Sequence, residues 1–243
     1  MINPIYKPKG KALEYADLAL NIYDGCAHKC TYCFSKKMHD RWSPGKDFTN
    51  VTVREGIVEA TKKQLAKGNH KGKTVLLCFS CDPYSSNVDT TPTREIIQLI
   101  KEAGANFTVL TKGGMRAYRD FDLYSEGDSF GATLTFDDSD KSLEWEPGAA
   151  EPLSRIQAIV EAHEKGIKTW VSLEPVIKTQ DAINFVTDLH GHVDLWKVGR
   201  WNYDQRANEV DWKTFGHDIE SVFKILKCNY YIKEDLRAEM EAN

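Results

Sequence analysis

The sequence predicts an α/β protein built on a parallel sheet covered by helices. Three observations lead there. Short apolar, β-branched runs recur along the chain, segments with apolar residues at helical spacing follow them, and Gly68, Gly104 and Gly166 close several of those segments. Strands that alternate with helices have the crossover connections that parallel neighbours require.

Each element has its own signal. "LALNIYDG", beginning at Leu18, reads as the first strand. Thr52 and Glu55 have the spacing of a capping box, opening a helix with Ile57, Val58, Thr61 and Leu65 on its apolar face. The second strand is "TVLLCFS", from Thr74. Thr91 is placed to cap a helix whose first position is Pro92 and whose buried face is Ile96, Ile97, Ile100 and Ala103. "NFTVLT" is strand three, a less regular helix spans Arg116 to Tyr124, and "SFGATLTF" is strand four. A helix from Pro152 to Lys165 leads to "KTWVSLEP", and one from Asp181 to Leu189 leads to "VDLWKVG". Asp211 to Leu226 supplies a last amphipathic helix with Phe215, Ile219, Val222, Phe223 and Leu226 inward. Periodicity does not choose between an open, doubly wound sheet and a barrel. Both gather chemistry at the C-terminal ends of their strands.

The chain has 243 residues, a formal net charge of −4 and six cysteines. It shows no membrane-spanning apolar run and no leader-like N-terminus, so a cytoplasmic location is expected. In a reducing compartment the cysteines read as metal ligands, catalytic groups or small apolar residues rather than disulfides. The acidic balance gives no global footprint for nucleic acid, although Lys29, Lys36, Lys37, His39, Arg41 and Lys46 form a local basic stretch. A solvated face is the commoner meaning of such a run.

Cys26, Cys30 and Cys33 lie together in "NIYDGCAHKCTYCF". Three thiols suit neither a disulfide nor a complete zinc tetrahedron. They can wrap three corners of a [4Fe-4S] cube and leave one iron open to substrate, or they can form a Cys3His zinc site with His28 or His39. His28 also has a plainer role, capping a loop carbonyl. Cys78 and Cys81 form a second CxxC, but if Cys78 lies in a strand the two point to opposite faces, which argues against a second metal site. Asp82 in "DPY" suits a tight turn in which its carboxylate bonds its own backbone.

The stretch from Gly25 to Cys33 resembles the CxxxCxxC signature of radical S-adenosylmethionine (SAM) enzymes, including an aromatic residue, Tyr32, before the third cysteine. Together with "CDPY", "VLTKGG" and "WEPGAAEPLSRI" it is most similar to the spore photoproduct lyase-like group, over roughly residues 17–200. The resemblance implies a partial (β/α)6 barrel in a single domain of residues 1–243, with 201–243 as an extension packed on the barrel. It implies a [4Fe-4S] cluster on Cys26, Cys30 and Cys33, and SAM bound to the unique iron. Reductive cleavage of SAM then gives a 5′-deoxyadenosyl radical, with electrons from a donor such as flavodoxin or ferredoxin.

Around SAM the resemblance places Ser80, Cys81 and Asp82 at the amino group and Lys112 at the carboxylate. Thr133 and Thr135, two apart on one strand face, are set toward the ribose or sulfonium, and Tyr32 and Glu174 are further cofactor contacts. Glu146 and Arg155 are expected to brace the loop as an ion pair, while Arg200, Trp201 and Asn202 lie where substrate approaches. Cys78 is the candidate hydrogen donor, although neither it nor Cys81 aligns with the donor cysteine of the lyase. The substrate expected first is a nucleic-acid lesion or base. A peptide or small metabolite is the alternative within this chemistry, and a zinc or iron-sulfur binding module without turnover is the alternative outside it.

Overall fold

A computed structural model describes residues 3–242. Seven strands form one parallel sheet: β1 (Leu18–Leu20), β4 (Thr74–Leu77), β5 (Asn106–Thr111), β6 (Ser129–Thr133), β7 (Lys168–Leu173), β8 (Leu195–Val198) and β9 (Tyr230–Ile232). Two short strands, β2 (Tyr23–Asp24) and β3 (Thr52–Val53), pair antiparallel beside it. The helices are α1 (Phe34–Trp42), α2 (Ile57–Leu65), α3 (Thr91–Glu102), α4 (Ser139–Trp145), α5 (Pro152–Glu164), α6 (Thr179–Leu189), α7 (Trp212–Ile225) and α8 (Glu234–Glu241).

Strand order decides what periodicity left open. The sheet runs β1-β4-β5-β6-β7-β8-β9, always adding the next strand on the same side. A doubly wound sheet reverses direction at a switch point, whereas this order is the single winding of a barrel left open between β1 and β9. Right-handed crossovers then carry the helices to one face.

Strand alternation sorts the two faces. Leu20, Val75, Leu77, Phe107, Val109, Val171 and Val198 pack toward Ile57, Ile96, Ile100, Ile159 and Phe223 from the helices. On the other face Ala19, Leu76 and Trp170 form a smaller cluster with Tyr15, Phe79 and Leu110. Trp170 reaches across the sheet, and its indole N–H donates to Thr108 Oγ1 at 3.0 Å.

Several expected elements shift. Thr52 does not cap a helix; it pairs with Asp24 in the β2–β3 ribbon, and α2 starts at Ile57 after Gly56. Pairing between distant segments outweighs the local capping signal. The first expected strand divides into β1 and β2, strand two ends at Leu77, and strand four ends at Thr133. The N-cap of α3 is Thr90, one residue early, with Asp89 accepting from Thr91 N at 2.9 Å. β9 is a seventh strand, set on the open edge by residues 230–232. No helix among the described residues is long and apolar enough to cross a membrane.

Candidate active site

The polar strand ends converge on one cavity of about 440 Å³, bordered by Cys26, Cys30 and Cys33. The β2–β3 ribbon pins the base of the excursion that carries these thiols. Gly25 has φ +90°, and a Cβ there would stand 2.5 Å from Phe48 O, so the turn into Cys26 requires glycine. Cys26 N donates to that same carbonyl at 2.8 Å.

Distant segments fix the rest of the loop. Ala27 N donates to Ser85 Oγ (3.0 Å) and Thr31 N to Trp145 O (2.9 Å). Cys33 is the N-cap of α1, and its Sγ accepts from Lys36 N at 3.4 Å. Gly148 docks on the loop through His28: Gly148 N donates to His28 O (2.9 Å), and Gly148 O lies 3.1 Å from His28 Nδ1. His28 Nε2 lies 2.9 Å from Asp82 Oδ2, off the ring N–H direction. Nδ1 faces Gly148 O, Nε2 lies beside Asp82 without a hydrogen bond, and His28 borders the cavity whereas His39 borders a neighbouring groove. Among the described residues no three His, Cys, Asp or Glu side chains converge on a single-ion point.

The thiols suit a sulfur-ligated cluster chemically. Burial, followed by the charge of Asp82, pushes Cys26 far above the ordinary thiol range; burial pushes Cys30 up to about 12, with Lys112 opposing. Thiolates in such a place need a cation beside them, which iron provides.

Asp82 borders the cavity and is also bonded into the fold. Burial would raise its carboxyl, but His28, the Thr111 hydroxyl and Lys112 N–H hold it well below the usual range. Oδ1 accepts from Tyr84 N (2.8 Å) and Thr111 Oγ1 (2.7 Å), and Oδ2 from Lys112 N (2.8 Å). This is the turn that "DPY" suggested, with the added effect of tying the end of β4 to that of β5. Asn21 does similar work, its Oδ1 accepting from Phe79 N (2.9 Å) and Ser80 N (2.8 Å).

Ser80, Cys81 and Lys112 border the cavity, as do Tyr32, Thr133 and Glu174. Thr135 does not: with β6 ended at Thr133, alternation no longer holds, and its hydroxyl lies 3.3 Å from Tyr32 Oη. Tyr32 also donates to Glu146, which pairs with Arg155 and lies 3.8 Å from Lys112 Nζ. Arg155 in turn donates to Ala150 O (2.7 Å) and Thr133 O (3.3 Å).

The opposite-face expectation for Cys78 and Cys81 is corrected. β4 stops at Leu77, so period two does not extend to Cys78, and both cysteines border the same cavity. Burial, and after it contact with Cys81, raises the Cys78 thiol well above its ordinary range. Arg200 turns away to Glu239 and Trp212, while Trp201 borders the cavity and meets Trp145 edge-on at 5.7 Å. Sequence reasoning missed Tyr15, Ser172 and Lys233, which also border it.

Comparison with known proteins agrees with this geometry. Residues 20–183 match the family model of the radical SAM superfamily. An uncharacterized protein of Mycobacterium bovis is 28% identical over 196 residues, covering 77% of this chain and 55% of its own length. One from Methanocaldococcus jannaschii is 28% identical over 179 residues, covering 72% and 64%. The chain thus spans under two thirds of these relatives.

Two solved structures share the fold at low identity. Streptococcus suis SuiB bound to S-adenosylmethionine has a TM-score of 0.67 at 14% identity, covering 88% of this chain and 49% of that one. Spore photoproduct lyase complexed with dinucleoside spore photoproduct has a TM-score of 0.68 at 12% identity, covering 93% and 80%. With the matched residues enclosing all three loop cysteines and most of the strand ends around the cavity, the chain belongs to the radical SAM superfamily.

Proposed function

We propose that this protein is a radical SAM enzyme in which Cys26, Cys30 and Cys33 hold a [4Fe-4S] cluster and the adjoining cavity receives SAM. One observation carries the reading: three sulfur donors from one short loop border a cavity at the C-terminal ends of a singly wound parallel sheet. When bound and reduced by a flavodoxin- or ferredoxin-like donor, cluster and SAM supply a 5′-deoxyadenosyl radical that takes hydrogen from substrate.

The chain's own residues prepare the place. Lys112, held near Glu146, offers an ammonium to the SAM carboxylate, and Ser80 and Cys81 offer polar contacts whose loop Asn21 fixes. Thr133, Tyr32 and Glu174 complete the polar lining. Cys78, 3% exposed and kept as a thiol by burial, retains the S–H from which a hydrogen atom can be given.

For the substrate, a nucleic-acid base is the reading we favour. Phe34 and Tyr203, 42% and 60% exposed, stack with ring centroids 4.9 Å apart at the cavity rim. Lys11 Nζ lies 5.1 Å from the Tyr203 ring, and Lys37 Nζ donates to Tyr203 O at 2.7 Å. Exposed aromatic faces beside lysines are what single-stranded nucleic acid uses.

The test is 5′-deoxyadenosine formation from SAM by anaerobically reconstituted, dithionite-reduced protein, with Cys30→Ala as control. Product from the wild type alone supports the reading. A loaded cluster with neither product nor SAM binding refutes it. Salt-dependent binding of a single-stranded oligonucleotide supports the substrate class, and its absence favours a peptide or metabolite.

A further inference from the structure

A second wall of the cavity lies at the C-terminal ends of β7, β8 and β9. Ser172 and Glu174 stand two residues apart at the end of β7, and Lys233 follows β9, where its N–H donates to Val198 O at 2.9 Å. Glu174 accepts from three groups: Lys233 Nζ, Tyr15 Oη at 2.9 Å and Asn202 Nδ2 at 3.4 Å. Gly199 makes room for the pair, since a Cβ there would stand 2.8 Å from Lys233 Cδ and 3.1 Å from Glu174 Cδ.

The Lys233 ammonium has more N–H donors than the described residues give it acceptors. The Lys233 side chain is 3% exposed, and Glu174 is its single hydrogen-bond acceptor among the described residues. Its other close neighbour is the face of Tyr15, 3.7 Å from the ring centroid. Lys197, on β8, directs Nζ at the backbone carbonyls of Glu14 (2.7 Å) and Tyr15 (3.2 Å) rather than at a carboxylate. Burial, and then the charge of Lys233, lowers Lys197 to about 8. Trp201, 4% exposed and bordering the same cavity, has an indole N–H without an acceptor among the described residues. A buried ammonium that borders open volume and has one acceptor among the described residues can take an acceptor-rich, negatively charged group.

We propose that this wall anchors an oxyanion of the substrate, a phosphate or carboxylate, through Lys233, with Glu174 and Tyr15 setting the ammonium. The assignment rests on reading the cavity as the radical SAM site and adds an anionic group to the substrate that enters it. Lys9 and Lys11 border the same cavity, Lys11 paired with Asp235.

Calorimetric titration of the anaerobically reconstituted protein with inorganic phosphate, and separately with acetate, tests this at constant ionic strength set by chloride. The same titrations are run on Lys233→Met and on Lys233→Met/Glu174→Gln, which avoids leaving a carboxylate buried alone. The expected result is saturable binding of at least one probe to the wild type, weakened about ten-fold or more in both variants, as loss of a charge-assisted bond requires. The preferred probe identifies the group. No saturable binding, or equal affinity in the double variant, overturns the proposal. So does binding abolished by prior addition of SAM, which would give the wall to the cofactor's carboxylate. Iron, sulfide and SAM binding of the same wild-type sample judge the radical SAM reading separately: a protein that loads both but binds neither probe keeps that reading and loses this one.

Discussion

Glu146 Oε2 lies 2.5 Å from Arg155 Nη2, with the two side chains 0% and 1% exposed, nine positions apart on either side of the turn between α4 and α5. The pair locks more than its own turn, because Glu146 also takes the Tyr32 hydroxyl and Arg155 holds two backbone carbonyls. Removing one partner strands a buried charge. Arg155→Met is expected to cost about 3–5 kcal/mol, read as a lowered urea midpoint at unchanged slope. A loss under about 1 kcal/mol would show that the pair is dispensable.

Gly148 sits directly on the cysteine loop. A Cβ there would lie 1.9 Å from Ala27 O, so backbone must move. Gly148→Ala should cost about 1–3 kcal/mol by overpacking and, because the displaced atoms belong to the thiol loop, lower iron content per chain. Full iron loading in this variant would contradict the docking role of the 146–148 segment.

Cys30→Ala separates ligation from folding. Cys30 is a partly buried residue at the margin of the helix-side core, whose buried members are other residues, so far-UV circular dichroism should match the wild type while iron and labile sulfide fall away. Wild-type iron and sulfide in the variant would reject Cys30 as a ligand.

Asp181 carries a pH dependence outside the cavity. Burial, and then the charge of Asp137, raises its carboxyl to about 6. Its folded value lies above an unfolded one of about 3.9, so the native state binds the proton more tightly. Stability from this group is present at acidic pH and is lost as pH rises from about 4 through about 6. Asp181→Asn should therefore be more stable than wild type at pH 7, by about 1 kcal/mol after allowance for solvent screening and for the carboxylate's favourable place in the first turn of α6. The gap should close below about pH 4. A variant less stable at pH 7 would mean that the helix-terminal charge outweighs the repulsion.

Much of this was legible in the sequence. Runs such as Asn106–Thr111 are strands to the residue, and the apolar faces of α3 and α7 pack where periodicity put them. What failed did so where distant chain decides. Thr52 follows a local capping rule, yet Tyr23 and Asp24 claim its segment for a ribbon. The opposite faces expected of Cys78 and Cys81 assumed a strand that stops one residue short. The cysteine loop was readable because its spacing is itself the chemistry. The Lys233 wall was not, because Tyr15, Glu174 and Lys233 carry no shared motif and meet only through the order of strands.

That wall draws on residues 15, 174 and 233, from the beginning, the later middle and the end of the chain. During synthesis the thiol loop is complete long before β9 exists to bring Lys233 onto the sheet edge. Closing so long a span has its entropic cost at the end of folding, and contacts this remote in sequence form late. In chain order the thiols and Lys112 precede Lys233, which joins them at the cavity only when β9 pairs with β8.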